Sequence, residues 1–350
     1  MVGNILHVAK LNKFIPPFVD FLEEGMHIDF SNHTFLFLGD RSKYPYKNRS
    51  NIKHYGKGFL NYIFSFMSLY YEIHSSRKVI LHGLFDRRVI YCLFFQPWAL
   101  KKCYWVIWGK DLYTYQDPKK RWKWRRLEFF RRKVIKKMGF LVTYVVGDVR
   151  LAREWYGAKG AHVNCIMYTT NLFSEIKASD KSNDKVNVQI GNSADPSNNH
   201  LEIFKILEPF KGEDIVIYAP LSYGNKKHAD VVVEEGTRIF GDKFIPLLDF
   251  MPFDKYIEFL GDIDIAVFNH RRQQAMGNAI SLLGMGKKVY LRSDVTSWNV
   301  LKGFNVEVYD IEDFTLDLIS DDAKNKNKQI IKDEFSRENL ADQLKKMFEE

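Results

Sequence analysis

Apolar positions along the first half of the chain come in short β-branched or aromatic runs, each followed by a longer stretch with helical spacing. Thr34–Leu38, Lys78–Leu81, Tyr104–Ile107 and Leu141–Val146 are such runs. They read as strands buried on both faces, with helices as crossovers, which makes a parallel sheet. The opening residues Met1 to Val8 read as a further buried strand: they lack the basic start and long apolar run of an export signal. A polar stretch, Lys177 to Lys185, has Ala178 as its only apolar residue and marks a linker.

Beyond the linker the alternation restarts. Strands are expected at Val186–Ile190, Asp214–Tyr218, Phe244–Leu247, Ile263–Phe268 and Lys288–Leu291. Helices are expected at His200–Leu207, Lys226–Phe240, Phe253–Gly261 and Asn278–Met285. The connections are short, as in a βα repeat of nucleotide-binding type. Phe335–Phe348 has helical spacing and could pack back on either domain; it is counted within residues 181–350. The fold class is therefore α/β, two Rossmann-like βα domains over residues 1–180 and 181–350, facing across a cleft that receives ligands.

A length of 350 residues suits two domains. Phe59 to Tyr71 is the most apolar window, but Asn61, Ser65 and Ser68 interrupt it. It is also shorter than the ~20 residues of a spanning helix. Three cysteines, Cys92, Cys103 and Cys165, have neither a disulfide-framework count nor a metal-ligand spacing, so a reducing cytoplasm is expected.

Charge changes the picture more. The net +9 divides into +17 over residues 1–170 (29 Lys+Arg against 12 Asp+Glu) and −8 over the rest (23 against 31). The first domain thus faces something anionic, nucleic acid or an acidic lipid surface. The segment Lys119–Lys137 concentrates that charge, with eleven basic residues and one acid. Trp124, Leu127, Phe130, Val134 and Met138 recur on one helical stripe, leaving Lys119, Lys120, Arg121, Trp122, Arg125 and Arg126 around them. Such a helix rests on anionic lipid, gaining about 1 kcal/mol per basic residue at the surface. Base stacking on Trp122 and Trp124 is the nucleic-acid alternative, and packing on the sheet is the structural one.

Two strand-end loops of the second domain have phosphate-binding chemistry. In the first, Gly191 permits a tight turn after a strand, Asn192 and Ser193 follow, and Ser197, Asn198 or Asn199 can cap the next helix. In the second, Asn269, Arg271, Arg272, Gln273 and Gln274 precede a helix whose first turn holds Gly277 and Asn278. Cations and helix N–H groups there converge where a diphosphate leaving group gathers charge. An ordinary polar loop and a solvated arginine pair are the plainer alternatives. Tyr218, Ser222 and Tyr223 belong to an adjoining loop, and Phe253 and Tyr256 are candidates to wall a base pocket or to pack a helix on its core.

In the first domain, Asp111, His82 and Asp148 each stand beside a glycine near a strand end and are candidates, in that order, to take an acceptor hydroxyl's proton. Each has an alternative reading as a cap or a satisfied core group.

The stretches Trp108-Gly109-Lys110-Asp111-Leu112-Tyr113, Gly191 to His200 and Arg272-Gln273-Gln274-Ala275-Met276-Gly277 resemble those of the TDP-N-acetylfucosamine:lipid II N-acetylfucosaminyltransferases, the 4-alpha-L-fucosyltransferases. The likeness runs in order and spacing from His7 to about Leu291, and His82-Gly83 and Gly147-Asp148 fall where the family has the same pairs. It implies a GT-B fold and a hexosyltransferase with a nucleotide-sugar donor, dTDP-linked, in the second domain. It further implies a polyprenyl-diphosphate-linked saccharide acceptor at the inner membrane face, in assembly of enterobacterial common antigen, O-antigen or a related surface glycan of bacteria. Ala219 to Tyr223 only partly matches, which bears on the base or sugar.

Many retaining GT-B enzymes place two glutamates eight residues apart around this glycine; here Gln274 and Leu282 stand at that spacing. Direct displacement is the simpler expectation. Asp262-Ile263-Asp264 falls at a strand's start, away from any diphosphate site, so arginines and not a metal are expected to neutralise the leaving group. No cofactor is expected beyond the nucleotide-sugar co-substrate. The expected location is cytoplasmic, peripheral on the inner face of the plasma membrane. A nucleotide-sugar epimerase of the same architecture, and a nucleic-acid-binding protein using the basic helix, are the alternatives.

Overall fold

A computed structural model describes residues 4–26, 28–116, 122–174 and 184–349. They divide into two compact units, residues 1–170 with 337–350, and residues 171–336.

In the first unit β1 (Ile5–Lys10) leads to α1 (Ile15–Glu24), β2 (His33–Leu38), β3 (Ile52–Tyr55), α2 (Phe59–Ser75), β4 (Lys78–His82), α3 (Arg87–Phe95), β5 (Cys103–Val106), α4 (Trp122–Lys137), β6 (Phe140–Val142), α5 (Val146–Tyr156) and β7 (Ala161–Val163). All seven strands are parallel, in the order β3-β2-β1-β4-β5-β6-β7. Strands such as Val79–Leu81 and Cys103–Val106 are buried throughout because helices cover both faces. The core gathers Leu6, Leu36, Leu81, Trp105 and Leu141.

The second unit repeats the plan: β8 (Val186–Ile190), α6 (His200–Leu207), β9 (Ile215–Pro220), α7 (Lys226–Phe240), β10 (Phe244–Leu247), α8 (Phe253–Asp262), β11 (Ile265–Phe268), α9 (Met276–Gly284), β12 (Lys288–Leu291), α10 (Thr296–Gly303), β13 (Tyr309–Asp310) and α11 (Asp321–Glu334). Its parallel order is β10-β9-β8-β11-β12-β13. Both sheets therefore reverse direction beside their first strand, at β1/β4 and at β8/β11. In open α/β sheets the crevice outside the carboxyl ends at that reversal receives ligands. Asp262 and Asp264 lie at the opposite edge, where the Asp264 carboxylate accepts from Asn187 N.

Three expectations need correction. The last helix, α12 (Arg337–Glu349), belongs to the first unit and not to residues 181–350. Its buried Leu340, Leu344, Met347 and Phe348 pack there, and Lys78 Nζ and Arg77 Nη2 donate to its last carbonyls, those of Met347 and Phe348, at 2.6 and 2.8 Å. The chain also passes between units at Thr170/Asn171, before the polar stretch, of which residues 177–183 lie outside the described residues. Finally, the run Leu141–Val146 is a strand only to Val142; Val146 opens α5, which places Asp148 in a helical first turn.

Candidate functional site

At the β8/β11 reversal the two polar loops meet. Gly191 follows β8 with φ +60°, and its N–H donates to Val267 O on β11 at 2.9 Å. A Cβ at this position would stand 2.7 Å from Asn198 Oδ1 and 2.8 Å from His200 Nε2, so the turn is closed to any larger residue. Asn198 is fully buried and organises the loop: its Oδ1 accepts from Asn192 N at 2.9 Å, and its Nδ2 donates to Ser193 Oγ at 3.1 Å.

The expected caps are reassigned. Asp195 caps the short 3₁₀ turn Pro196–Asn198 by accepting from Ser197 N at 3.0 Å. Asn199, at the start of α6, is left-handed and makes no side-chain cap. Its Nδ2 instead donates to Asn269 O at 2.7 Å, across to the second loop. Ser197 Oγ reaches Gln274 Oε1 at 2.9 Å and His270 Nδ1 lies 3.1 Å from Ser197 O, completing three ties between the loops.

The second loop ends at Ala275, a non-glycine residue with φ +58°, which enters α9 without a side-chain cap. The first N–H groups of a helix have no intrahelical partner, and here Met276, Gly277 and Asn278 supply them at the crevice. Arg272 bears on His270, holding its imidazole lower still, and donates from Nη1 to Gln273 O at 3.2 Å. Arg271 behaves differently: its exposed guanidinium pairs with Glu202 at 2.7 Å, and Asn269 Nδ2 donates to the same carboxylate at 3.0 Å. Arg271 and Arg272 thus have separate jobs, the first tied to α6.

Beside these loops, Tyr223 is exposed, and its hydroxyl lies 3.5 Å from Asn192 Nδ2. Burial pushes the Tyr256 phenol up, neighbouring Tyr223 adds to it, and the Gln189 amide opposes it. Those three groups line one corner, and Ser222 of the adjoining loop is half-buried. Tyr218 packs its half-buried ring on Phe259 of α8, 5.5 Å between centroids. The side chain of Phe253 lies outside the described residues.

Sequence reasoning passed over Glu202, Asp195, Gln189 and two buried histidines. His200 is lowered to about 3 and His270 to about 4, burial being the main cause for each. Both stood in the stretches singled out, but an imidazole gives no hint of burial until the loops are brought together. Among the described residues, no group of three or more His, Cys, Asp or Glu is arranged to hold a metal ion.

The first unit treats the three proton-acceptor candidates as interior groups. The Asp111 carboxylate accepts from Leu84 N (3.0 Å), Trp105 Nε1 (2.7 Å), Trp108 N (2.9 Å) and Leu112 N (3.0 Å). Its residue is wholly buried, and four donors fill the roughly four lone-pair positions a carboxylate has. Asp111 is thereby a loop anchor. His82 is equally buried: Nδ1 lies 2.7 Å from Tyr168 Oη, and Nε2 3.1 Å from His7 Nδ1. His7 Nε2 continues to His33 Nδ1 at 2.9 Å, and Trp108 Nε1 donates to the same Tyr168 hydroxyl oxygen at 3.0 Å. Burial lowers His82 to about 3, so it is a weak base with both nitrogens engaged. Asp148 is buried in the first turn of α5, where it bears on the buried Tyr144 phenol.

On α4, Trp122, Trp124, Arg125 and Arg126 are exposed, whereas Val134 and Ile135 reach the core. Lys119, Lys120 and Arg121 lie outside the described residues. No helix of the described residues is long and apolar enough to cross a membrane.

Solved structures share this architecture at low identity. HepE of Anabaena, in complex with UDP and glucose, matches with 8% identity and a TM-score of 0.71, covering 99% of each chain. Sucrose-phosphate synthase of Thermosynechococcus elongatus gives 8% and 0.71, over 99% of this chain and 98% of that one. The UDP-forming alpha,alpha-trehalose-phosphate synthase of Burkholderia vietnamiensis gives 9% and 0.64, over 99% of both. These likenesses establish the GT-B fold. The model of the family described as 4-alpha-L-fucosyltransferase, glycosyl transferase group 56, matches residues 70–339. That span takes in α9 and its arginine loop, the Gly191 turn and the Asp111 anchor, and the protein belongs to this family of glycosyltransferases.

Proposed function

We propose that the protein transfers a deoxy-amino sugar of N-acetylfucosamine type, or fucose, from a dTDP-sugar or related nucleotide sugar to a polyprenyl-diphosphate-linked saccharide. The setting is bacterial surface-glycan assembly, with enterobacterial common antigen or O-antigen as the product class, at the inner face of the plasma membrane. The observation that carries the donor half is the joining of the Gly191 loop to the Asn269–Ala275 loop at the β8/β11 reversal.

The diphosphate is held between the Gly191 turn and the uncapped N-terminus of α9, with Arg272 opposing its charge as the glycosidic bond breaks. Arg271 acts through Glu202, fixing the loop from outside. Tyr223, Tyr256 and Gln189 flank the base. The leaving group's charge is met by arginine and backbone dipoles, and no metal is assigned to it. Gln274 and Leu282 stand where a carboxylate pair would be, which supports direct displacement with inversion. Asp111 and His82 are engaged inside the fold, so they shape the acceptor side and are not assigned as the base.

The acceptor half is supported by the basic first domain and by exposed Trp122, Trp124, Arg125 and Arg126, which suit the anionic membrane surface that presents a lipid-linked saccharide. The epimerase alternative needs no such helix.

Thermal-shift measurements with dTDP, UDP and GDP sugars test the donor. Stabilisation by dTDP compounds that Arg272→Ala weakens at least tenfold in apparent Kd is the expected result. Indifference to every nucleotide overturns the donor site, and a product of retained anomeric configuration overturns direct displacement.

A further inference from the structure

Helix α2 is inside out. A helix on a sheet normally turns its apolar stripe to the core and its polar side to water. Besides Asn61, His74 and Ser75, the exposed residues of α2 are all apolar or aromatic: Phe59 (78%), Leu60 (67%), Ile63 (39%), Phe64 (56%), Met67 (62%), Tyr70 and Tyr71. At 100° per residue they fall within an arc of about 140°. The opposite arc is buried and partly polar: Ser65, Leu69, Glu72 and Ile73. Ser65 Oγ accepts from Arg88 Nη1 at 2.9 Å, and Glu72 pairs with Lys53. Those bonds fix the helix about its axis, so it cannot roll its aromatic face inward.

We infer that this face of α2 enters the apolar layer of an anionic bilayer, with α3 and α4 supplying the basic rim that meets the headgroups. The inference rests on the membrane-side reading above and gives it an inserting element, which the basic helix by itself does not supply. Helices α2, α3 and α4 lie side by side. Gln96 Nε2, just past α3, donates to Tyr70 O at 3.2 Å, and Phe94 of α3 meets Phe130 of α4 at 4.7 Å between ring centroids. Lys57 precedes α2, Arg87 opens α3, Lys101 follows it, and Arg125, Arg126 and Lys133 lie on α4; all are exposed, and Lys57 pairs with Asp40 at 3.3 Å. The acids of these helices are withdrawn: Glu72 pairs with Lys53, Asp86 with Arg88 and Glu128 with Arg132, their side chains 7%, 16% and 7% exposed.

Charge selects the occupant. A second copy docked about a twofold axis would bring the same basic rim against itself, whereas a layer of anionic lipid opposes it everywhere. The edges fit as well, since Tyr70, Tyr71, Trp98, Trp122 and Trp124 are exposed amphipathic rings of the kind that settle at headgroup depth. An apolar surface of this extent, rimmed by one sign of charge, marks an interaction site.

The test uses the full chain with two sets of vesicles, phosphatidylcholine alone and phosphatidylcholine with one-third phosphatidylglycerol. The parent should sediment with the anionic vesicles at least tenfold more strongly than with the neutral ones. The triple variant F59S/F64S/M67S should lose at least tenfold of that partitioning while keeping its far-ultraviolet dichroism and its stabilisation by dTDP. In a second variant, Phe64→Trp, quenching of emission by lipids brominated along the acyl chain should exceed that of the parent's native tryptophans. Unchanged partitioning of the triple variant, or quenching no greater than the parent's, overturns the inference. So does light scattering that shows a parent dimer and a monomeric variant, since the face then belongs to a second copy. Vesicle binding without transfer to a lipid-linked acceptor sinks the acceptor reading and leaves the surface. Transfer in detergent without vesicle binding does the reverse.

Discussion

Single residues separate positions that bind from positions that hold the binder in place. Gly191 is both: Ala would adopt an unfavourable left-handed backbone and press its Cβ on Asn198 and His200. The backbone costs roughly 1–2 kcal/mol and the crowding a further 1–3. Gly191→Ala should therefore lose about 2–5 kcal/mol in urea unfolding and, through the displaced Asn198, weaken dTDP stabilisation. Asp111 answers a different question. Asp111→Ala leaves four donors, two backbone N–H groups of the 108–112 loop, Leu84 N and the Trp105 indole, facing a cavity. At least about 3 kcal/mol of stability should go with it. If Asp111→Asn instead abolishes turnover while unfolding at the parent's denaturant midpoint, the anchor role is wrong and the carboxylate acts chemically. The strand-end placement of Asp111 and His82 was legible from the chain. Their enclosure was not, because it depends on Trp105, Tyr168 and His7, which only the folded sheet brings alongside.

At the scale of elements, strict period and turn chemistry carried furthest. Helices His200–Leu207 and Lys226–Phe240 and strands Val186–Ile190, Phe244–Leu247 and Lys288–Leu291 stand at the bounds their spacing predicts. Spacing tells which residues share a face and not which face is covered, so the exposure of α2 was invisible in it. Contacts between distant segments were equally hidden: Arg271 finds Glu202 on another helix, and α12 returns to the first unit. In that return Phe348 sets its ring edge-on to His33 at 4.7 Å and to His7 at 5.9 Å. Phe348 is 5% exposed, and its loss from a packed core costs roughly 3–5 kcal/mol. Phe348→Ala should thus lower the midpoint of the first unit's unfolding, read from the fluorescence of Trp105 and Trp108, while leaving the dTDP-induced shift of the second unit intact. A loss of nucleotide binding of equal size would put α12 with the donor unit instead.

Across the whole molecule, both units share a buried-histidine design that ties stability to acidity. Moving α12 to the first unit changes its charge by one, to +16, so the asymmetry between a basic and an acidic unit stands. What the units have in common is neutral imidazoles in their interiors: His82 lowered to about 3 and His33 to about 4 in one, His200 to about 3 and His270 to about 4 in the other. Burial is the leading cause in all four. The sign follows from where protons bind. Between pH 6.5 and about 4 the unfolded chain takes up protons on these histidines and the native chain does not, so acid favours unfolding. Their contribution is complete above pH 6.5 and disappears as pH falls toward the folded values. Each histidine lost in this way is worth about 1.4 kcal/mol per pH unit within its window. Unfolding free energy should therefore fall steeply from pH 6.5 to 4.5, in both units together. His200→Gln should flatten the slope in the second unit by about one proton, and His82→Gln should do so in the first. Urea titrations at half-unit steps of pH measure both slopes. A profile equally steep in each variant would assign the acid sensitivity to carboxylates and remove the histidines from the account.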